Sequence, residues 1–454
     1  MSAGPRVNIP RLTDIETWLD SFLNFERLPK KNIFWLDTMQ FLCARFGNPH
    51  TAFKSVHVAG SKGKGSVCAC IAAILAEAAY SCGVYASPHI VHFAERIRTA
   101  SGFFPDSVYQ AAGRELISGI EAVPPEELPG QREITWFELA TLYAFLCFRH
   151  AHADWAVCET GLGGRLDATN VLEPAAAVLT PIELEHTQYL GNTIALIAQE
   201  KAGIIKERTP VYCAAQVQEA RQVFEQTAYR KNAPIFFLDS PGVQIQYDIR
   251  ADGTHTRIQA PCFSRPLAAV LKLYGGFQAE NAALAACTVK GLCPALSEEV
   301  IERGLARAWI PGRFEIIAET DSTPELILDG AHTVKSVGCT LETLAALYDN
   351  PFDIPVLFAC AADKDMEHIA ALFKNVSHIT LTTPGPYKQS ALPRLAQAFA
   401  SCGVKAYAEA DCARAIGQSM KHAKKQHMPL LVVGSFYLLA EVMRYINGSG
   451  ENID

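Results

Sequence analysis

Residues 60–66 read G-S-K-G-K-G-S, a run whose residue types suit the binding of a polyphosphate. An apolar, β-branched stretch containing Val56 and Val58 stops at Gly60, and an apolar helical pattern begins at Val67. Strand, glycine-rich turn and helix together let backbone N–H groups converge on one anion, aided by the partial positive charge of the helix N-terminus. Gly60, Ser61, Lys62, Gly63 and Gly65 form the cradle. Lys64 would carry a mobile cation to the β- and γ-phosphates of ATP, and Ser66 a hydroxyl for Mg2+. The spacing is not GxxxxGK[ST], because Gly65 stands between the lysine and the serine.

Three further segments place polar groups at strand ends, where open α/β sheets bind ligands. The buried-strand pattern over 154–159 ends in Glu159, and E-T-G-L-G-G-R-L-D-A-T-N continues from it over 159–170. A carboxylate at the tip of an apolar strand is costly to desolvate unless paired or metal-bound, so Glu159 is a candidate Mg2+ ligand. A short strand at 84–86 leads to Ser87-Pro88-His89, which reads either as a turn serine before proline or as a hydroxyl reaching a phosphate-bound metal. A strand at 177–182 leads to Glu185-His186-Thr187, with His186 as another ligand candidate.

The chain behind these motifs has 454 residues, 49% hydrophobic and 19% charged, which is too long for one hydrophobic core. A formal charge of −7 argues against general binding of nucleic acid or membrane surfaces. No apolar run is long enough to span a bilayer and no signal peptide is apparent, so the expected compartment is the cytoplasm. Fourteen cysteines without a CxxC pair read as reduced, mostly buried thiols. Helical spacing is expected over 15–25 and 36–46, separated by a polar connector at 27–32, and over 135–148. Short strands are expected at 211–213 and 235–238, then a small-residue helix opening near 274–283. Pro311-Gly312 punctuates a linker, and strand–helix alternation restarts with strands at 326–328, 356–359, 379–382 and 430–433. The expectation is an ATP-binding domain over 1–304 and a second α/β domain over 313–454.

Taken in order, the loop, S-P-H, E-T-G-L-G-G-R-L-D-A-T-N, H-T, E-K-A-G-I, N-A-A, P-G-R, D-G-A-H and G-S-F resemble the folylpolyglutamate synthase/dihydrofolate synthase family of the Mur ligase superfamily. The resemblance implies a P-loop ATPase domain with a mostly parallel sheet, followed by a smaller Rossmann-like α/β domain. It implies that Lys201 of E-K-A-G-I is carbamylated and holds a second Mg2+, where the residue alone reads as a dipole-favoured lysine ending a helix. Asn281 would read adenine, or is simply a polar residue in a helix's first turn. Arg313 and His332 would reach ATP phosphates across an interdomain cleft, with Asp329 on the ribose side. Phe137 and Glu138 would border the pterin, with Arg165 and Asp167 as further substrate contacts, although Glu138 also suits a first helical turn. Lys62, Glu185 and Thr333 stand where the family has asparagine, aspartate and asparagine.

The implied reaction is ATP-dependent amide formation: phosphorylation of the γ-carboxylate of a folate, then attack on the acyl phosphate by the amine of L-glutamate. Lys64, Lys201, His186, Arg313 and His332 would be the catalytic groups, and Ser66, Ser87, Glu159, His186 and Lys201 the metal site. A monomer with small-molecule partners is expected. Dihydropteroate as a second substrate, another Mur-type amino-acid ligase, and a nucleotide-binding regulator without turnover are the competing readings.

Overall fold

Short apolar runs that each end in a polar residue or glycine become the strands of a parallel sheet, buried on both faces as such sheets require. A computed structural model describes residues 12–24, 35–385 and 390–448, and the connector expected at 27–32 lies outside them. The first sheet is built from β1 (Lys54–Ala59), β2 (Cys82–Tyr85), β3 (Ile97–Thr99), β4 (Trp155–Glu159), β5 (Ala176–Leu179), β6 (Val211–Cys213) and β7 (Ile235–Phe237). Their order is β3-β2-β4-β1-β5-β6-β7, and only β3 runs antiparallel to its neighbour. Register pairs Val58 with Glu159 and Ala59 with Leu179, so Gly60, Glu159 and Thr180 leave the sheet along one edge.

Helices Lys64–Glu77, Gly276–Leu292 and Glu298–Arg307 cover one face with small and aliphatic residues. Gly304 lets the last of these close on the first, because a Cβ there would lie 2.5 Å from the Ile74 Cα. Trp136–His150 and its neighbours cover the other face with a second cluster rich in aromatic residues. The helix expected over 15–25 is Leu12–Leu19, and that expected over 36–46 is Asp37–Arg45.

A feature the sequence reading missed is an antiparallel sheet of β8 (Gln244–Arg250), β9 (Gly253–Gln259) and β10 (Leu267–Leu271). Its first strand reads Q-I-Q-Y-D-I-R, a strict alternation of polar and apolar residues, and is largely exposed.

The third sheet comprises β11 (Glu315–Ile317), β12 (Leu326–Asp329), β13 (Val356–Phe358), β14 (Ile379–Leu381), β15 (Tyr407–Ala408) and β16 (Leu430–Val433), in the order β11-β12-β16-β13-β14-β15. Only β11 is antiparallel. The two lobes meet where Ile90 joins the apolar cluster of this sheet's helices and where Lys335 pairs with Glu183 at 2.9 Å. The carboxyl end of β12, with Asp329 and the following His332, belongs to the same interlobe region as the phosphate loop.

Candidate active site

The glycine-rich loop is shaped by contacts that exclude side chains. Gly60 has φ +150°, and a Cβ there would sit 1.8 Å from Thr180 Oγ1. Ser61 N–H donates to the Pro181 carbonyl at 2.9 Å and its hydroxyl to the Glu183 carbonyl at 3.1 Å, stitching the loop to the segment beyond β5. Gly63, at φ +88°, caps helix Lys64–Glu77 without any side-chain hydrogen bond, leaving the helix's first N–H groups uncapped by the protein. A Cβ at Gly63 would meet Asn281 Oδ1 at 2.5 Å, so Asn281 presses directly on the loop. Its Nδ2 donates to Gln278 Oε1 at 3.0 Å, while Gln278 Nε2 and Thr180 Oγ1 are buried with no partner among the described residues. An uncapped helix N-terminus flanked by unpartnered polar atoms fits a nucleotide phosphate.

Two lysines from different segments point at one carbonyl. Lys64 Nζ donates to Gly60 O at 2.9 Å and Lys201 Nζ to the same oxygen at 2.8 Å. Lys201 is almost fully buried and also donates to Glu185 Oε1 at 3.1 Å. Lys62 lies 3.9 Å from Glu185, and Lys64 lies 3.8 Å from Glu159. Burial, with the Lys64 charge beside it, lowers the Lys201 ammonium to about 8. Burial alone would raise the Glu185 carboxyl, but Lys64, Lys201 and Lys62 outweigh it and hold it at about 2. Glu159 is pushed up by burial, partly offset by Lys64. Glu185 is thus the counter-ion of the lysine cluster, a part that its strand-end position alone did not reveal.

The expected metal ligands fall into two groups around Lys64. Glu159 Oε2 accepts the Ser87 backbone N–H at 3.3 Å, and a Cβ on Gly65 would lie 3.5 Å from that oxygen, which puts the helical turn bearing Ser66 alongside. A carboxylate with hydroxyl oxygens is a donor set that suits Mg2+. On the other side, His186 is exposed in the left-handed region at φ +47°, within the field of Glu185, Lys64 and Lys201. Among the described residues no three His, Cys, Asp or Glu side chains form a ready-made cluster for a metal. Lys201 as an ammonium is a donor and cannot ligate; it fits a metal only after losing that charge.

The S-P-H loop is held by residues to which the sequence reading gave no role. Glu95 accepts the backbone N–H groups of Ile90, Val91 and His92 at 2.6, 2.9 and 2.8 Å. Buried Arg96 donates to His89 Nδ1 at 2.8 Å and lies 4.8 Å over the Trp136 ring.

From the other lobe, Arg313 stacks on Phe436 at 4.3 Å, and its charge interacts with both Asp329 and Glu159. His332 Nδ1 donates to Gly330 O at 2.8 Å, and burial, reinforced by Lys62 and Lys364, pushes the ring down to about 3, so it is neutral at pH 7. Thr333 caps helix Val334–Leu347 in a reciprocal arrangement with Ser336, which accounts for a hydroxyl residue at that position. Buried Asp329 accepts the Ala331 N–H at 3.0 Å and the Thr340 hydroxyl at 2.8 Å.

Burial raises the Asp329 carboxyl to about 6 despite Arg313. A raised acid binds its proton more tightly folded than unfolded, so its stabilising contribution is present at low pH and is lost as pH rises to about 6. Between pH 4 and 7 the wild type should lose on the order of 3 kcal/mol relative to D329N, read from urea midpoints. Parallel pH profiles of the two proteins would contradict this assignment.

The pterin-side candidates are placed less uniformly. The Phe137 ring abuts Gly161, where a Cβ would lie 2.4 Å from its Cζ, and faces Tyr85 at 6.0 Å between centroids. Glu138 completes a capping box with Thr135 at the start of helix Trp136–His150, the plainer of its two readings. Asp167 is buried and accepts the N–H groups of Gly161 and Leu162, both at 2.9 Å, and of Thr169 at 3.0 Å. Its carboxylate therefore folds the glycine turn. Arg165 forms an exposed pair with Glu200 at 2.9 Å.

Glycines in such a turn allow close approach of a ligand backbone or phosphate. At Gly164 the close approach is instead to the helix Ile194–Ala202, since a Cβ would lie 2.9 Å from Glu200 O and 3.1 Å from the Lys201 Cα. Gly203 reciprocates, with a Cβ there 2.4 Å from the Arg165 Cα. Backbone against backbone cannot yield as a flexible side chain can, so G203A should cost about 2–3 kcal/mol in chemical denaturation and displace Lys201. A variant with unchanged midpoint and activity would show that this packing is not needed.

A parallel sheet with a phosphate loop, charged strand ends and a second α/β lobe supplying an arginine and a histidine define an ATP-dependent ligase of the Mur type. Two family models agree: the Mur ligase middle domain matches residues 58–289, and the Mur ligase glutamate ligase domain matches residues 312–436. Within that class the chain belongs to the folylpolyglutamate synthase/dihydrofolate synthase family. It is 32% identical to the dihydrofolate synthase/folylpolyglutamate synthase of Bacillus subtilis over 95% of this chain and 98% of the relative. It is also 32% identical to the Escherichia coli protein of the same name, over 97% and 98%. The Mycobacterium tuberculosis folylpolyglutamate synthase solved with ADP and AMPPCP superposes with a TM-score of 0.84 at 27% identity, covering 96% of this chain and 98% of that one.

Proposed function

We propose that this chain joins L-glutamate to the γ-carboxylate of a folate, with ATP converted to ADP and phosphate, through an acyl phosphate formed between the lobes. The observation that carries the reading is the meeting of Lys64, Lys201, Glu159 and Glu185, from separate segments, around the Gly60 carbonyl, with Arg313 of the other lobe within electrostatic reach of Glu159. In this scheme the loop N–H groups of residues 60–66 cradle the phosphates. Lys64 leaves Gly60 O for the β/γ bridge, and Asn281 lies against the adenine. Arg313 offsets charge on the transferring phosphoryl group, and neutral His332 presents a hydrogen bond to the phosphates. Asp329 orients Arg313 and faces the ribose.

Ser66, Ser87, Glu159 and His186 would hold one Mg2+, and carbamylated Lys201 a second; these ions would supply charge cancellation between the two anionic reactants. The carboxylate oxygen attacks the γ-phosphorus as ADP leaves. The glutamate amine then attacks the acyl carbon, phosphate departs with that oxygen, and the amine's proton passes to solvent. Phe137, with Glu138, Arg165 and Asp167 behind it, forms the wall of the pterin pocket. The working unit is a cytoplasmic monomer of two domains, 1–304 and 313–454.

The Bacillus subtilis and Escherichia coli relatives carry dihydrofolate synthase in their names, which favours dihydropteroate as a second acceptor. ADP release by purified protein with glutamate, given tetrahydrofolate or dihydropteroate in turn, tests the reading. Release with tetrahydrofolate is expected. Tight ATP binding without release on either acceptor would instead identify a regulator.

A further inference from the structure

We propose that Cys262 and Cys287 are a peroxide-reactive pair that closes into an intramolecular disulfide, a modification site made of side chains that ligation does not use. Their sulfurs lie 3.9 Å apart. Cys262 follows β9 and is exposed, the one exposed cysteine among the described residues. Cys287 is buried inside helix Gly276–Leu292. The ordinary S–S length is about 2.05 Å, so bridging requires the two sulfurs to approach by about 1.9 Å.

The two thiols differ in the way a reactive and a resolving cysteine differ. The hydrogen bond with Cys287 holds the Cys262 thiol below its ordinary range against the opposing effect of burial, and the Lys290 charge helps. Cys287 is held well above its ordinary range by the same hydrogen bond and by burial. Exposure plus thiolate character selects Cys262 for oxidation, while thiols such as Cys43 and Cys70 are buried and pushed up to about 12.

The Cys262 thiolate attacks one oxygen of hydrogen peroxide, breaking the O–O bond to give the sulfenic acid and hydroxide, which takes up the thiol's proton as water. The Cys287 sulfur then displaces the hydroxyl from the Cys262 sulfur, forming the S–S bond and releasing a second water. Two thiols are oxidised and one peroxide is reduced. The bridge ties the turn after β9 to the helix whose early turns set Asn281, bonded to Gln278, against Gly63.

The full chain, treated with equimolar hydrogen peroxide and digested without reductant, should yield one linked peptide pair containing residues 262 and 287, with two of the fourteen thiols lost. In C287S, oxidation should stop at a sulfenic acid on Cys262 that dimedone traps. In C262S, Cys287 should stay reduced. Sulfinic acid on Cys262 of the wild type without a linked pair, or a bridge from Cys262 to a different cysteine, would overturn the proposal.

Discussion

K64A is expected to lower kcat/KM for ADP formation by about 10^3-fold, roughly 4 kcal/mol of transition-state stabilisation, while leaving the thermal midpoint within a few degrees. Lys64 is the loop cation nearest Glu159, and it donates a hydrogen bond to Gly60 O. Removing it takes away the charge that compensates the migrating phosphoryl group, and buried Glu159, left without that partner and already raised by burial, takes up a proton. The Gly60 carbonyl keeps its bond from Lys201. Steady-state ADP release with tetrahydrofolate and glutamate measures the first quantity and differential scanning the second. A loss under tenfold would place the phosphates elsewhere.

The second large effect is expected at Lys201. K201R keeps a cation but cannot form the carbamate, and should lower kcat by about 10^2–10^3-fold. In the wild type the amine is neutral above about pH 8 and protonated below. Only the neutral amine adds to CO2, forming an N–C bond and releasing a proton, so carbamate occupancy should rise as pH increases from 7 to 9. Wild-type enzyme stripped of CO2 should lose activity and regain it on addition of bicarbonate, while K201R responds to neither. Native mass spectrometry in bicarbonate should show wild type, but not K201R, heavier by one CO2. Equal response of both proteins would remove the second metal from the account.

The strands that carry the site were legible because parallel strands are buried on both faces and read as apolar runs with abrupt polar ends. Gly60, Glu159 and the segment holding Glu185 emerge along one sheet edge through the β1–β4 and β1–β5 register. Spacing alone did not show which way side chains turn. Asp167 lies within a motif full of chemically able residues but folds its own turn. Gly164 and Gly203 serve the docking of the Lys201 helix, a tertiary contact between segments far apart in the chain.

Glu185 and Lys62 looked like departures from a pattern. Folded, Glu185 is the carboxylate that Lys62, Lys64 and Lys201 surround, which a residue-by-residue reading cannot see. The β8–β10 sheet was missed although β8, Q-I-Q-Y-D-I-R, carries the period-2 alternation of a strand, a signal present in the sequence. Thr333 is explained by local capping, a signal present in the sequence as T-x-x-S ahead of an apolar run.

Oxygen tracing puts the central step to the test most directly. Folate labelled with oxygen-18 in its γ-carboxylate is incubated with the enzyme, ATP and unlabelled glutamate, and the released inorganic phosphate is analysed by mass spectrometry. If the carboxylate takes the γ-phosphoryl group, each phosphate formed carries one labelled oxygen. Phosphate free of label, formed alongside labelled amide product, would contradict the acyl phosphate and the arrangement of residues built around it.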